Sequence, residues 1–372
     1  MLYRTLIFVV AFGLASCAER GAVRIVPEAR GVGNVETIFV GSNRAKDETT
    51  GELFGFERQA QTRFAKLDIS VPPDRKPGEI DWPRKRRAAD PLTEFVTLDE
   101  VIYPSDTQFR NDLRAKLASQ PNGLREAVVF VHGFNNNFAE GAYRLAQLGN
   151  DLGIKGALVH YSWPSRANPL GYVYDRDSAL FARDGLEDLL REVQAAGARD
   201  IVIVAHSMGS AIVMETLRQL ALEKDHQIRD RIKGVILMSP DIDIDVFHAQ
   251  AVRIGKLPQP FIIFTSKRDK ALALSARLTG QRDRVGNLAS PDEISDLDVT
   301  LIDTTAFSVG TGHFNVGNSA LLLSILGKIG DVDAAISADS TSRTGLLGGV
   351  VLTVQNATQV ILSPVTALAN GG

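Results

Sequence analysis

Apolar, mostly β-branched runs recur along the chain at 35–40, 67–71, 127–131, 157–161, 201–205, 234–238, 261–265 and 299–302. Most of the last six are continuously apolar instead of alternating, the pattern of strands covered on both faces by helices. Between them lie segments with helical spacing of apolar positions at 138–152, 177–196, 208–222 and 314–329. Strands alternating with helices of this length predict an α/β fold, a mostly parallel, doubly wound sheet of about eight strands with flanking helices, over residues 35–330. The rhythm breaks at 43–90, which carries Pro72-Pro73, Pro77-Gly78 and the basic run Arg84-Lys85-Arg86-Arg87, and reads as an elaborated connection with a solvated basic loop. Residues 21–35 lack periodicity, so 17–34 reads as a tether. The tail 331–372 is rich in Ser, Thr and Gly with apolar patches at 346–354 and 360–362, and its role stays open between packing on the domain, contacting a membrane and remaining disordered.

Composition narrows the classes. With 44% hydrophobic and 23% charged residues, the 372-residue chain has globular composition and ample core material. A formal charge of -3 and a pI near 6.1 supply no field that calls for nucleic acid as a partner. A single cysteine excludes an internal disulfide framework and a thiolate metal cluster. That cysteine, Cys17, follows Arg4, the apolar run 6–14 and then Ala15-Ser16. The layout is that of a signal peptide over residues 1–16, its apolar stretch too short to span a bilayer. Leu14-Ala15-Ser16-Cys17 resembles the bacterial lipobox, which implies cleavage before Cys17 and acylation of its thiol, for example with palmitate. The alternative is a plain secretory signal. Ala18 resembles the residue that sorts lipoproteins onward to an outer membrane, so the expected location is the cell envelope, with the membrane as partner through the lipid anchor.

Candidate chemistry begins where Ile201-Val202-Ile203-Val204-Ala205 runs into His206-Ser207-Met208-Gly209 and then into a helical segment. This resembles the nucleophile elbow of α/β-hydrolases, in which a strained serine ends a strand and small neighbours avoid collision with adjacent elements. Ala205 stands where the usual Gly-x-Ser-x-Gly motif has its first glycine. Because Ser207 opens the following helix, the positive end of that helix lies under the oxygen where charge would develop. A second strand ends in His132-Gly133-Phe134, where such a fold places its oxyanion loop, and the resemblance implies that the backbone N–H groups of Phe134 and Met208 are the oxyanion donors. Asn135, Asn136 and Asn137 read as a turn and a helix N-cap.

A serine hydroxyl needs a base to take its proton and an acid to orient that base. Of six histidines, His313 follows the last strand in the loop Gly310-Thr311-Gly312, the late position this fold uses for its base. Asp269 follows the strand 261–265, and the order Ser, Asp, His matches that of α/β-hydrolases. Asp241, Asp243 and Asp245, after the preceding strand, compete as the acid. Read instead as a calcium loop, they lack the required glycine and distal glutamate, and neither metal nor other cofactor is expected.

Tyr161-Ser162-Trp163-Pro164-Ser165, then Tyr172, Tyr174 and Asp175, and Gly41-Ser42-Asn43-Arg44 near the start complete a resemblance over roughly 35–330. In these stretches the chain is similar to a bacterial, esterase- and lipase-like lipoprotein family of the α/β-hydrolase superfamily whose function is unknown. The resemblance names no substrate. Trp163 and Tyr172 either bind substrate, walling an acyl or leaving-group pocket, or pack the helix-to-sheet interface. The expectation is a serine hydrolase: Ser207 attacks the carbonyl of a small-molecule or lipid ester, His313 shuttles the proton under Asp269, and water resolves the acyl-enzyme. Two alternatives stand beside it, an envelope-anchored binding or scaffold protein without catalysis and a lipase or phospholipase facing the membrane. Nothing in the sequence points to an oligomeric state.

Overall fold

The computed structural model describes residues 20–83, 87–280, 283–288, 290–308, 313, 317, 349–354 and 357–362. The expected signal peptide with Cys17, and all but one residue of the expected helix 314–329, lie outside the described residues.

Among the described residues, eleven strands form one sheet. They are β1 (Asn34–Arg44), β2 (Arg58–Val71), β3 (Val96–Ile102), β4 (Glu126–Val131), β5 (Ala157–Ser162), β6 (Asp200–His206), β7 (Ile232–Met238), β8 (Phe261–Thr265), β9 (Val299–Asp303), β10 (Gly349–Val354) and β11 (Ala357–Leu362). Their spatial order is β10-β11-β9-β8-β7-β6-β4-β5-β1-β2-β3. Eight of them, β1, β4 to β9 and β11, run parallel, while β2, β3 and β10 are antiparallel to their neighbours. The sequence-based strand runs at 127–131, 157–161 and 201–205 become the centre of this sheet, where no side chain of β4 or β5 beyond Glu126 reaches the surface.

Burial on both faces explains the continuous apolar runs. In β4, Val129 and Val131 enter one core with Ile203, Leu186, Leu189 and Leu217, while Val128 and Phe130 enter the opposite core with Val204, Ala142 and Leu148. The first face is covered by α1 (Asp106–Ala118), α3 (Tyr172–Ala195), α4 (Met208–Leu222) and α6 (Ile244–Ile254), with α4 packed between α3 and α6. The second is covered by α2 (Phe138–Leu152), which lies over β5 and β1. A short α5 (His226–Arg229) follows α4, and α7 (Lys270–Leu278) follows β8. Helix α2 starts at Asn137, whose side chain accepts from the Glu140 amide in a capping box, and stops at Gly153 in the left-handed conformation (φ 61°).

Two expectations need amendment, and a point left open for the tail is partly filled in. The tether reading of 17–34 does not hold for its described part: Val26 N–H donates to Thr97 O, Thr97 N–H to Arg24 O, and Ala29 is 1% exposed. The segment has no amphipathic period because backbone bridging and single side chains fix it, not a repeating face. The connection 43–90 contains the whole of a long antiparallel strand, β2, paired with β1 from Asn34↔Val71 onward. Of the tail, residues 349–354 and 357–362 extend the sheet, β11 lying parallel to β9. Among the described residues no helix is long and apolar enough to cross a membrane.

Candidate active site

Ser207 follows β6 as the N-cap of α4, with φ 52° and ψ −122°, a conformation costly for a residue with a Cβ, of order 1–3 kcal/mol. Hydrogen bonds hold it there: Ser207 N–H donates to Met238 O (2.9 Å), and Ser207 O accepts from Asp241 N–H (3.2 Å) and Ser210 N–H (3.0 Å). The strain turns the side chain out of the sheet at the mouth of α4. Its hydroxyl lies 2.9 Å from His313 Nε2, and His313 Nδ1 lies 2.8 Å from Asp269 Oδ2. Serine, histidine and aspartate from three separate loops thus form one hydrogen-bonded line.

Asp269 is 2% exposed and caps α7, its Oδ1 accepting from the amides of Ala271 and Leu272 at 3.0 Å each. The competing aspartates are engaged elsewhere. Asp241 accepts from Ser275 Oγ (2.5 Å) and Tyr172 Oη (3.0 Å) and lies 3.3 Å from Arg284 Nε. Asp243 caps α6 through Val246 N–H, and Asp245 is exposed. None of the three meets His313. Among the described residues no group of three or more His, Cys, Asp or Glu is placed to hold a metal.

The oxyanion side depends on two glycines. A Cβ on Gly133 would stand 2.6 Å from His206 Nδ1 and 3.0 Å from Ser207 Cβ, and one on Gly209 would stand 2.4 Å from His132 O and 2.6 Å from Val131 O. The loop after β4 and the serine turn therefore lie in close contact, with backbone of one against backbone of the other at Gly209. A cavity of about 170 Å³ opens beside it between Gly133, Arg144, His132 and His206. Burial, then the neighbouring His313, holds His206 well below the usual imidazole range, and burial, then the Arg44 guanidinium, does the same for His132.

Of the two residues expected at a substrate pocket, Tyr172 lies by the site, its ring edge-on to Phe134 at 5.4 Å. Its hydroxyl is tied to Ser275 (2.6 Å) and Asp241, and burial followed by the Asp241 carboxylate pushes it up to about 12. Trp163 is elsewhere. It is 0% exposed, stacks on His132 at 5.0 Å and donates its indole N–H to His132 O (2.7 Å), so it packs beneath the loop and offers no pocket wall. Sequence reading missed the Tyr172–Asp241–Ser275–Arg284 cluster, because its contacts join residues 34 to 103 positions apart, which meet only through the crossovers of the fold.

The family model for an alpha/beta hydrolase of unknown function (DUF900) matches residues 105–319. No curated protein matches the chain. Among solved structures, a predicted CIB-like hydrolase from Thermoplasma acidophilum is 18% identical, covering 56% of this chain and 87% of its own at a TM-score of 0.35. A thermophilic esterase from Thermogutta terrifontis is 16% identical, covering 87% and 100% at a TM-score of 0.32. A cutinase-like protein from Cryptococcus sp. is 10% identical, covering 56% and 93% at a TM-score of 0.31. Likenesses this distant say nothing about substrate.

Proposed function

This chain belongs to the alpha/beta hydrolase family of unknown function DUF900, and we propose that within it the protein is a serine hydrolase of carboxylic esters working through an acyl-enzyme. The observation that carries the reading is the line Asp269 Oδ2–His313 Nδ1 at 2.8 Å and His313 Nε2–Ser207 Oγ at 2.9 Å, at a serine held in strained backbone. In that arrangement His313 takes the hydroxyl proton as Ser207 attacks, Asp269 stabilises the resulting imidazolium, and His313 returns the proton to the leaving alkoxide. Water, activated by the same imidazole, then releases the acid. The N–H groups of Phe134 and Met208 would receive the developing oxyanion. Preference for esters over amides rests on fold analogy alone.

The proposal is tested with p-nitrophenyl esters of short and long acyl chains and the full chain in detergent beside Ser207→Ala. Turnover that vanishes with Ser207 is expected, and its chain-length profile divides esterase from lipase. Equal rates in the two proteins would remove Ser207 from the chemistry. Anchoring at the envelope through acylated Cys17 is proposed on the Leu14-Ala15-Ser16-Cys17 motif. A Cys17→Ser chain is then expected in the soluble fraction, and continued membrane retention would count against the anchor.

A further inference from the structure

Two ionisable side chains outside the triad lie buried beneath the loop 133–137. Arg44, at the end of β1, is 1% exposed, and Asp175, in the first turn of α3, is 0% exposed. Charges so placed are costly unless hydrogen-bonded. Their partners lie in the loop itself, at Asn135 and Asn136, in the segment 162–166 at the end of β5, and at Gly55 between β1 and β2. Arg44 Nε donates to Ser162 Oγ (2.9 Å), Nη1 to the carbonyls of Gly55 (2.8 Å) and Ser165 (2.9 Å), and Nη2 to Asn136 O (2.9 Å). Asp175 Oδ1 accepts from Arg166 N–H (2.7 Å), and Oδ2 accepts from Ser165 Oγ (2.6 Å) and Asn135 N–H (3.3 Å). Ser165 Oγ in turn accepts from Asn136 N–H at 3.2 Å. Burial pushes the Arg44 guanidinium down to about 10, with Asp175 opposing, which leaves it cationic at neutral pH.

The consequence falls on Phe134. Asn136, held at its N–H and its carbonyl, sends its side-chain Nδ2 back to Gly133 O (3.2 Å) and Phe134 O (2.9 Å), and His132 Nδ1 lies 2.9 Å from the same Gly133 O. In a trans peptide the C=O and N–H point to opposite sides. Anchoring Gly133 O toward His132 and Asn136 therefore turns the Phe134 N–H the other way. Asn135 completes the turn at φ 59°, left-handed backbone that needs such bonds to persist.

We propose that Arg44, Asp175 and Ser165 are positioning residues that preorganise the oxyanion loop, acting through Asn135 and Asn136 on the Phe134 N–H. The proposal rests on the serine-hydrolase reading above. Fixing a donor before charge develops is where an enzyme gains most from a buried polar network.

The test compares a carboxylic ester with its thionoester, C=S replacing C=O and the leaving group unchanged, in the full chain. Sulfur accepts hydrogen bonds weakly, so the ratio of kcat/KM for the two esters reports the oxyanion donors. Ser165→Ala and Asp175→Asn are the primary variants, each first shown to melt cooperatively. Asparagine at 175 keeps an acceptor on one side only and sets an amide donor against an N–H or O–H on the other. Arg44→Met is the stronger change, and if it does not fold Ser165→Ala carries the test by itself. Since one lost oxyanion donor costs on the order of 10²–10³ in kcat, a misaligned one is expected to lower kcat about tenfold with KM little changed, and to lower the oxoester preference by a similar factor. Folded variants that keep the parental ratio, whatever their rate, would make the network a packing feature and overturn the proposal. A parent chain without Ser207-dependent turnover of either ester would instead overturn the hydrolase reading beneath it.

Discussion

Asp269 meets His313 through one carboxylate oxygen, Oδ2 at 2.8 Å from Nδ1, because its other oxygen is occupied by the Ala271 and Leu272 amides at the start of α7. The same side chain caps a helix and orients a base, and the two roles separate by mutation. Asparagine caps as well as aspartate but cannot stabilise an imidazolium. Asp269→Asn is therefore expected to melt near the parent while kcat falls about 10⁴-fold, and Asp269→Ala to lose in addition about 1 kcal/mol of stability. Measuring kcat and melting for both checks this, and an active Asp269→Asn would return the acid role to another residue.

Asp241 gives the opposite pattern. It is buried against Arg284, Tyr172 and Ser275 and does not touch His313. Asp241→Asn is expected to destabilise by about 3–5 kcal/mol, the penalty for leaving a buried charge unpaired, while kcat measured well below the melting point stays within tenfold of the parent. A stable but inactive variant would contradict the assignment.

At Gly209 a methyl group would collide with the carbonyls of His132 and Val131, backbone atoms that cannot swing aside. Gly209→Ala is expected to push the oxyanion loop off the serine turn, lowering kcat about 10²-fold and stability by about 1–3 kcal/mol. Steady-state kinetics with a melting curve decide it, and parental values for both would show that the two loops are not in contact.

Stability is expected to fall in mild acid. Burial holds His132, His160 and His206 below the ordinary histidine range, His160 at about 3. The unfolded chain binds their protons near pH 6.5, so unfolding takes up protons below that pH and the stability they confer is present above it and lost as pH falls. The slope is about 1.4 kcal/mol per pH unit for each histidine still neutral in the folded state. Neither ring nitrogen of His160 has a hydrogen-bond partner among the described residues. His160→Leu is therefore expected to melt no lower than the parent at pH 7.5 and to show a shallower acid decline. Melting temperatures across pH 7.5 to 5 test both, and an acid slope unchanged by His160→Leu would mean that His160 is not held neutral.

The parts of the fold legible in the sequence are those fixed by burial on two faces. The runs at 127–131, 157–161, 201–205 and 261–265 became strands within a residue at either end, and 138–152 and 208–222 became helices with those bounds. Elements with sparse or one-sided apolar content escaped. Helix α1 buries only Phe109, Leu113 and Leu117, a stripe spaced by four in an otherwise polar segment, and β3 alternates too briefly to stand out. Ser207, His313 and Asp269 were legible because strand order fixes where loops meet. Arg44 and Asp175 were not assigned a role, since nothing local distinguishes a buried charge from a solvated one. The two readings left open for Trp163 have the same root: an aromatic beside a strand end looks alike whether it lines a pocket or, as here, packs against His132.

The most direct test of the central claim, that Ser207 is a nucleophile activated by His313, is the mass of the intact full chain after reaction with a fluorophosphonate, followed by peptide mapping. One adduct per chain on the peptide carrying Ser207 is predicted, lost in Ser207→Ala and formed far more slowly in Asp269→Asn. Labelling at another residue, or labelling unchanged by loss of Ser207, would contradict it.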